Sequence, residues 1–271
     1  MILRINDDFD LDKIADSGQC FRWEKMELHT YRVIAGKACL YITELGDDAF
    51  ELESTVIDAE RFWRNYFDLE EDYSYIRGRI DPKKDPFLWC AAEHEKGIRI
   101  LRQDPWEMLI TFIISQNKNI PAIRRSVELL AKYCGKRQVD PRGLEYYAFP
   151  DPMSVAELTE HDLRECKLGY RCSYVKEAAK AVLEGRIDLT QLVVADEQST
   201  IHALTNLFGV GMKVANCVSL FGLHHMDAFP VDVWVKRILA EEYPQGYPLE
   251  LYSPYNGVYQ QYMFAYYRHR Q

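Results

Sequence analysis

Lys213 carries the strongest chemical signal in the sequence, because it closely follows a pair of glycines, Gly209 and Gly211. A lysine is a nucleophile only after it loses a proton, and apolar surroundings lower its pKa. The adjacent Met212 and Val214 are apolar, so we expect a lowered pKa and a nucleophilic amine. Taken alone, however, Lys213 fits a solvated surface lysine best, and a Gly-x-Gly turn fits an ordinary joint between two helices best.

Asp232 follows Lys213 by nineteen residues and comes directly after Pro230 and Val231. Its simplest predicted role is to cap a helix over residues 233–239. A fixed carboxylate also stabilises the positive charge that develops when a glycosidic bond breaks. Lys213 and Asp232 together therefore suggest a nucleophile and its electrostatic companion.

The glycine pair also predicts an anion-binding turn between two helices. Glycine lets the backbone turn sharply and approach another molecule closely. The amides at the start of the second helix, aligned with its dipole, attract phosphate. We expect the backbone N–H groups of Gly209, Gly211 and Val214 to bind phosphate without help from basic side chains.

The elements that must position these residues change in character near residue 85. Short aromatic or β-branched runs predict strands in the first part, at residues 21–23, 31–35 and 38–42. A polar segment, 77–86, marks the boundary, and apolar residues then recur at helical spacing over 105–116, 123–133, 174–183 and 201–208. We predict an α+β fold with a small N-terminal antiparallel β domain (1–85), followed by an α-helical bundle (86–271).

Composition and charge restrict the class of protein. Seven scattered cysteines lack the spacing of a disulfide framework or a zinc ribbon, and no apolar run is long enough to cross a membrane. The N-terminus lacks a secretion signal, so we expect a cytoplasmic protein. The net charge of −9 argues against a nucleic-acid partner, yet residues 1–85 alone carry 12 basic and 20 acidic side chains. A basic stretch over 118–137 fits either a solvated helix face or a DNA contact.

Several motifs, in the same order along nearly the whole chain, resemble the helix–hairpin–helix DNA glycosylases. The closest resemblance is to the 8-oxoguanine DNA glycosylase/AP lyase branch, and it rests on residues 17–23, 101–107, 112–120, 168–171, 207–217, 230–233 and 257–264. It implies an enzyme that acts on double-stranded DNA containing 8-oxoguanine. The alternatives are an alkylated-base glycosylase on the same fold and a non-catalytic helix–hairpin–helix DNA-binding module.

The resemblance also implies roles for individual residues. Lys213 would attack the sugar C1′, expel the base and form a Schiff base that allows β-elimination, assisted by Asp232. The carbonyl of Gly18 would accept a hydrogen bond from N7–H of the lesion, where normal guanine has only an acceptor. Cys217 and Phe264 would hold the faces of the flipped base, and Gln260 would bind its pairing edge. Taken singly, these four residues fit a turn, the core or an exposed helix face equally well.

The resemblance also implies that three further residues contact the duplex around the flipped base. Asn117 would fill the vacated stack, Tyr170 would wedge the strands apart, and Arg171 would face the opposite cytosine. The chain departs from the better-known eukaryotic pattern at Ala122, where that pattern has an arginine, and at Trp234, where it has a histidine. We therefore expect a prokaryotic version with altered recognition of the opposite base.

No cofactor is expected to be required. The resemblance implies a structural monovalent or divalent cation held by the backbone carbonyls of Thr205, Leu207 and Val210. We also expect a monomer that does not associate with a membrane.

Overall fold

A five-stranded antiparallel sheet forms the N-terminal part of the computed structural model, which describes residues 1–270. The spatial order of its strands is β1-β5-β4-β3-β2. The strands are β1 (Ile2–Arg4), β2 (Trp23–Glu27), β3 (Thr30–Ala35), β4 (Ala38–Gly46) and β5 (Ala49–Ser54). The predicted strands correspond to β2, β3 and β4, whereas β1 and β5 were not predicted.

The rest of the described chain is mostly helical, which confirms the predicted α+β fold. The helices are α1 (Leu11–Asp16), α2 (Ala59–Tyr66), α3 (Tyr73–Gly78), α4 (Pro86–His94), α5 (Pro105–Ser115), α6 (Ile120–Cys134), α7 (Pro152–Glu157), α8 (Glu160–Glu165), α9 (Cys172–Leu183), α10 (Leu189–Leu192), α11 (Glu197–Thr205), α12 (Met212–Phe221), α13 (Val233–Glu242), α14 (Leu249–Tyr252) and α15 (Asn256–His269). A 3-10 turn (Gly169–Arg171) precedes α9, and a two-stranded hairpin, β6 (Arg137–Val139) with β7 (Glu145–Tyr147), follows α6. Within residues 1–270, every helix is too short or too polar to cross a membrane.

Several predicted elements differ from the structure at their ends, and two of these differences have a clear cause. The helix predicted over 201–208 is α11, which begins at Glu197 because the side chain of Asp196 accepts a hydrogen bond from the Ser199 N–H. The strand predicted at 21–23 begins only at Trp23, because Phe21 packs into the core of the helical part.

The sheet and the helices are joined by buried contacts on both sides of residue 85. Phe21 and Tyr73 belong to the helical core, while Leu101 belongs to the core beneath the sheet. The side chain of Arg22 pairs with Glu128 of α6 at 2.6 Å. These contacts hold the loop between α1 and β2 against the helical part.

Candidate active site

One narrow pocket brings together the two predicted catalytic residues and the four predicted base-binding residues. It is lined by Ser17, Gly18, Phe112, Lys213, Cys217, Phe221, Pro230, Asp232, Gln260, Gln261 and Phe264. These residues come from the α1–β2 loop, α5, α12, the loop before α13, and α15. The fold therefore assembles the pocket from segments that are far apart in the sequence.

Lys213 lies in the first turn of α12, with its ammonium nitrogen 5.4 Å from the ring centroid of Phe112. Phe112 is buried in α5 and stacks on Phe221, with the ring centroids 5.4 Å apart. Met212 does not supply the apolar contact expected from the sequence, because its side chain is 62% exposed. The apolar surface beside the amine is the ring of Phe112.

Asp232 is the N-cap of α13, as the sequence predicts. Its Oδ1 accepts a hydrogen bond from the Val235 N–H at 2.8 Å, so the helix fixes the carboxylate. No donor within residues 1–270 engages Oδ2. Since Asp232 lines the same pocket as Lys213, its second oxygen is available to a positive charge that develops there.

Gly18 and Phe264 form one wall of the pocket. Gly18 has φ +81°, a left-handed conformation that favours glycine. A Cβ at this position would lie 3.5 Å from the Phe264 ring. On another side, Cys217 is buried, and this burial raises the pKa of its thiol, while the nearby Lys213 opposes the shift. Cys217 therefore offers the pocket a neutral sulfur.

Gln260 is buried in α15, and its Oε1 accepts a hydrogen bond from Nε2 of Gln261 at 2.9 Å. This bond fixes the amide and leaves the Gln260 NH₂ group free to donate. The sequence did not single out Gln261, because consecutive helical residues normally point in different directions. Ser17, Phe221 and Pro230 also line the pocket without having been assigned a role there.

Asn117 and Tyr170 stand together on the surface. Asn117 has φ +49°, and its side-chain amide donates to the Tyr170 hydroxyl at 3.2 Å. Arg171 is different, because it is only 5% exposed and donates to the backbone carbonyls of Leu168 and Gln116. Its guanidinium also lies 4.2 Å from the ring centroid of Tyr170. In the structure, therefore, Arg171 packs against Tyr170 and is held by backbone carbonyls.

The turn between α11 and α12 has the geometry of an anion site. Gly209 has φ +82°, and a Cβ there would overlap the ring of Tyr174. The N–H groups of Gly209, Gly211 and Val214 donate to no acceptor within residues 1–270. Free amides at the start of a ten-residue helix suit phosphate.

The carbonyl groups of the same turn fit a hard cation. The Leu207 carbonyl accepts the Val210 N–H at 3.0 Å, whereas the carbonyls of Thr205 and Val210 accept no hydrogen bond within residues 1–270. Oxygen donors of this kind are the ligands that alkali and alkaline-earth cations prefer.

A wider groove opens next to the pocket and shares Gly18, Lys213, Asp232 and Phe264 with it. Its other lining residues include Lys118, Asn119, Pro121, Arg124, Trp234 and Arg268. Lys118 and Arg124 from the predicted basic stretch both donate to backbone carbonyls, of Lys167 and Ala15 respectively. The groove thus leads along the surface to Lys213 and Asp232.

Comparison with known proteins assigns the chain to a family. Residues 110–244 match the HhH-GPD superfamily of base excision DNA repair proteins. Residues 1–109 match the N-terminal domain of 8-oxoguanine DNA glycosylase. The fold and the site thus define a helix–hairpin–helix base excision repair protein, and the chain belongs to the 8-oxoguanine DNA glycosylase family within that class.

Individual relatives agree with this assignment. The chain is 30% identical to the N-glycosylase/DNA lyase of Saccharomyces cerevisiae, over 92% of this chain and 73% of that protein. It is 32% identical to the N-glycosylase/DNA lyase OGG1 of Arabidopsis thaliana over 82% of this chain, and spans 63% of the plant protein's length. The 8-oxoguanine glycosylase/lyase of Clostridium acetobutylicum, solved with DNA containing cytosine opposite 8-oxoguanine, is 33% identical with a TM-score of 0.88. That match covers 100% of this chain and 98% of the other.

Proposed function

We propose that this protein is a bifunctional DNA glycosylase/AP lyase that excises 8-oxoguanine from double-stranded DNA. The observation that carries the proposal is the pocket, in which Lys213 and the fixed carboxylate of Asp232 meet four residues suited to holding a base. A pocket with both a nucleophile and a base-binding wall suits cleavage of the bond between a base and its sugar.

The chemistry uses the amine of Lys213 and the carboxylate of Asp232. The deprotonated amine attacks C1′ of the sugar, the bond from C1′ to the base breaks, and the base leaves with the bonding electrons and takes up a proton. The Asp232 carboxylate, held by the α13 cap, stabilises the positive charge on the sugar during this step. The C1′–O4′ bond then breaks and O4′ takes up a proton, which leaves a Schiff base between Lys213 and C1′. Loss of a C2′ proton from this Schiff base expels the phosphate at C3′, and this β-elimination cleaves the strand on the 3′ side.

Recognition of the lesion rests on its N7–H. The Gly18 carbonyl accepts this hydrogen bond and repels normal guanine, whose N7 is an acceptor. Cys217 and Phe264 contact the faces of the base, and the Gln260 amide binds its pairing edge. The bond from Gln261 restrains the Gln260 amide, so its orientation is set before the base arrives.

Residues outside the active-site pocket contact the rest of the duplex. Asn117 fills the space that the flipped base vacates, and Tyr170 wedges the neighbouring bases apart, which offsets the few kcal/mol that extrusion costs. The amides of Gly209, Gly211 and Val214 bind backbone phosphate. A structural cation held by the carbonyls of Thr205, Leu207 and Val210 would supply additional positive charge to the DNA backbone.

The proposed chemistry needs no redox or organic cofactor, because an amine and a carboxylate of the chain supply the reacting groups. We further propose that the enzyme works as a monomer, since one chain provides the whole pocket, and that it acts in the cytoplasm on nucleoid DNA.

The experiment compares base release and strand cleavage on duplexes that carry 8-oxoguanine, 3-methyladenine or an abasic site. We expect 8-oxoguanine release together with cleavage of abasic sites. An alkylated-base glycosylase would release 3-methyladenine without cleaving the strand, because hydrolysis with water has no use for Lys213. A non-catalytic module would bind the duplexes and leave all three intact. Either of these outcomes would contradict the proposal.

A further inference from the structure

Three potential metal-ligating side chains meet where α15 ends against α4, outside the active-site pocket. They are His94, Glu95 and His269, and their ligand atoms all lie within 4.8 Å of one another. Nδ1 of His94 lies 2.8 Å from Oε1 of Glu95, and Nδ1 of His269 lies 3.0 Å from the same oxygen. Two histidine nitrogens thus converge on one carboxylate.

The second carboxylate oxygen of Glu95 is unsatisfied. Glu95 is fully buried, and its Oε2 has no hydrogen-bond partner within residues 1–270. A buried, unpaired oxygen of an ionised carboxylate is costly. A cation bound by the carboxylate would compensate both its charge and this oxygen.

The orientation of His269 is a second, independent sign of a metal ligand. Its Nε2 lies 3.2 Å from Oδ2 of Asp16, on the far side of the ring from Glu95. Metal-bound histidines almost always donate their other ring N–H to a carboxylate, a backbone carbonyl or water, and Asp16 is such a partner. The ring is thus held between two carboxylates, with Nδ1 towards Glu95 and Nε2 towards Asp16, and a cation that takes the place of the Nδ1 proton would lie between His269 and Glu95. His94 and His269 are both partly exposed, which gives an ion access.

We propose that His94, Glu95 and His269 form a binding site for a divalent transition-metal ion of the zinc type. Two histidine nitrogens and a carboxylate are a ligand set that zinc favours. Ligand atoms at 2.0–2.1 Å from a tetrahedral ion are about 3.3 Å apart. The two histidine nitrogens stand 2.8 and 3.0 Å from Oε1 of Glu95, and all three ligand atoms lie within 4.8 Å of one another, so rotation of the partly exposed histidine side chains admits the ion. Water completes the coordination.

The site would connect the end of α4 to α15 and to the loop between α1 and β2, which both line the active-site pocket. His269 ends α15, the helix that carries Gln260 and Phe264. Arg268 pairs with Asp16, two residues before Gly18, and its guanidinium lies 5.5 Å from the Phe264 ring centroid. A bound ion would therefore hold the end of α15 and the Gly18 loop in a fixed relation.

Titration calorimetry of the chelator-treated full chain with ZnCl₂, and separately with MgCl₂, tests the proposal. We expect one equivalent of zinc to bind and magnesium to give no comparable signal. His94→Gln and His269→Gln should abolish stoichiometric binding, while Asp16→Asn, which removes the carboxylate that orients His269 and pairs with Arg268, should weaken it about 10- to 100-fold. His161→Gln removes an exposed histidine elsewhere and should leave zinc binding unchanged.

Circular dichroism checks that each variant is folded. Because His94 and His269 are partly exposed, their replacement leaves no buried cavity, and we expect both variants to keep the fold. X-ray absorption of the zinc-loaded chain should show nitrogen and oxygen ligands. The proposal is overturned if no zinc binds, because hydrogen bonds alone then hold the three side chains together. It is equally overturned if zinc binds with unchanged affinity to His94→Gln and His269→Gln, or through sulfur.

Discussion

Recognition of the base opposite the lesion can be altered at Ala122, the third residue of α6. Its N–H is held by the Asn119 side chain at 3.0 Å, and its neighbours Asn119 and Pro121 line the groove that leads to Lys213. The alanine methyl group offers no hydrogen-bond donor to an estranged base. Arg171, the second residue implied to face cytosine, is buried and donates to two backbone carbonyls.

The side chains at positions 122 and 171 therefore limit the preference for cytosine opposite the lesion. A good bidentate contact discriminates between bases by roughly 1–3 kcal/mol, and each 1.4 kcal/mol is tenfold, so one such contact is equivalent to about 5- to 150-fold. Because Ala122 supplies no donor and the Arg171 guanidinium is held by backbone carbonyls, we expect 8-oxoguanine opposite adenine, thymine or guanine to be excised at rates within about tenfold of cytosine. Ala122→Arg should restore a preference of about tenfold or more.

Single-turnover rates of base release on the four duplexes measure this preference. Ala122→Leu is the matched control, because it adds a side chain without a donor and should leave the ratio of rates unchanged. A hundredfold preference for cytosine in the unmodified chain would refute the reasoning, as would an equal gain from Leu and Arg at position 122.

Three other substitutions test the structure at separate points. Asp232→Asn should slow base release about 100-fold or more while the thermal midpoint is preserved, because asparagine still caps α13; an unchanged rate would reduce Asp232 to a cap. Burial raises the pKa of Glu107 to about 7, so the native state loses stability as pH rises from about 4.5 to 7. Urea unfolding should show Glu107→Gln gaining up to about 3 kcal/mol over the unmodified chain between pH 5 and 8, and parallel pH profiles would contradict this. Gly209→Ala should destabilise the chain by about 1–3 kcal/mol, because its φ is left-handed and a Cβ would overlap the Tyr174 ring. Gly211→Ala is the control, because open space surrounds this position and the substitution should not destabilise the chain. Equal unfolding midpoints for the two variants would show that the turn tolerates a side chain.

The sequence predicted the fold class and the segments that meet at the pocket, because Gly18, Lys213, Asp232 and Phe264 lie in extended motifs that keep their order. It did not predict that Phe112 packs beside the amine. Helix α5 is buried at nine of its eleven positions, so its apolar pattern singles out no residue for the site.

Other features depended on contacts that local patterns do not encode. Strand β1 has only three residues and is stabilised by its pairing with β5, for instance Leu3 with Phe50. The burial of Arg171 depends on the carbonyl of Gln116, fifty-five residues away in the sequence. Tertiary packing decides both.

The most direct test of the central claim is borohydride trapping of the intermediate on a duplex that carries 8-oxoguanine. The unmodified chain should give a covalent protein–DNA adduct, and Lys213→Gln should give none while still binding the duplex. Lys118→Gln is the matched control, because Lys118 lines the adjoining groove and its loss should leave trapping intact. An adduct formed by Lys213→Gln at the level of the unmodified chain would contradict the account.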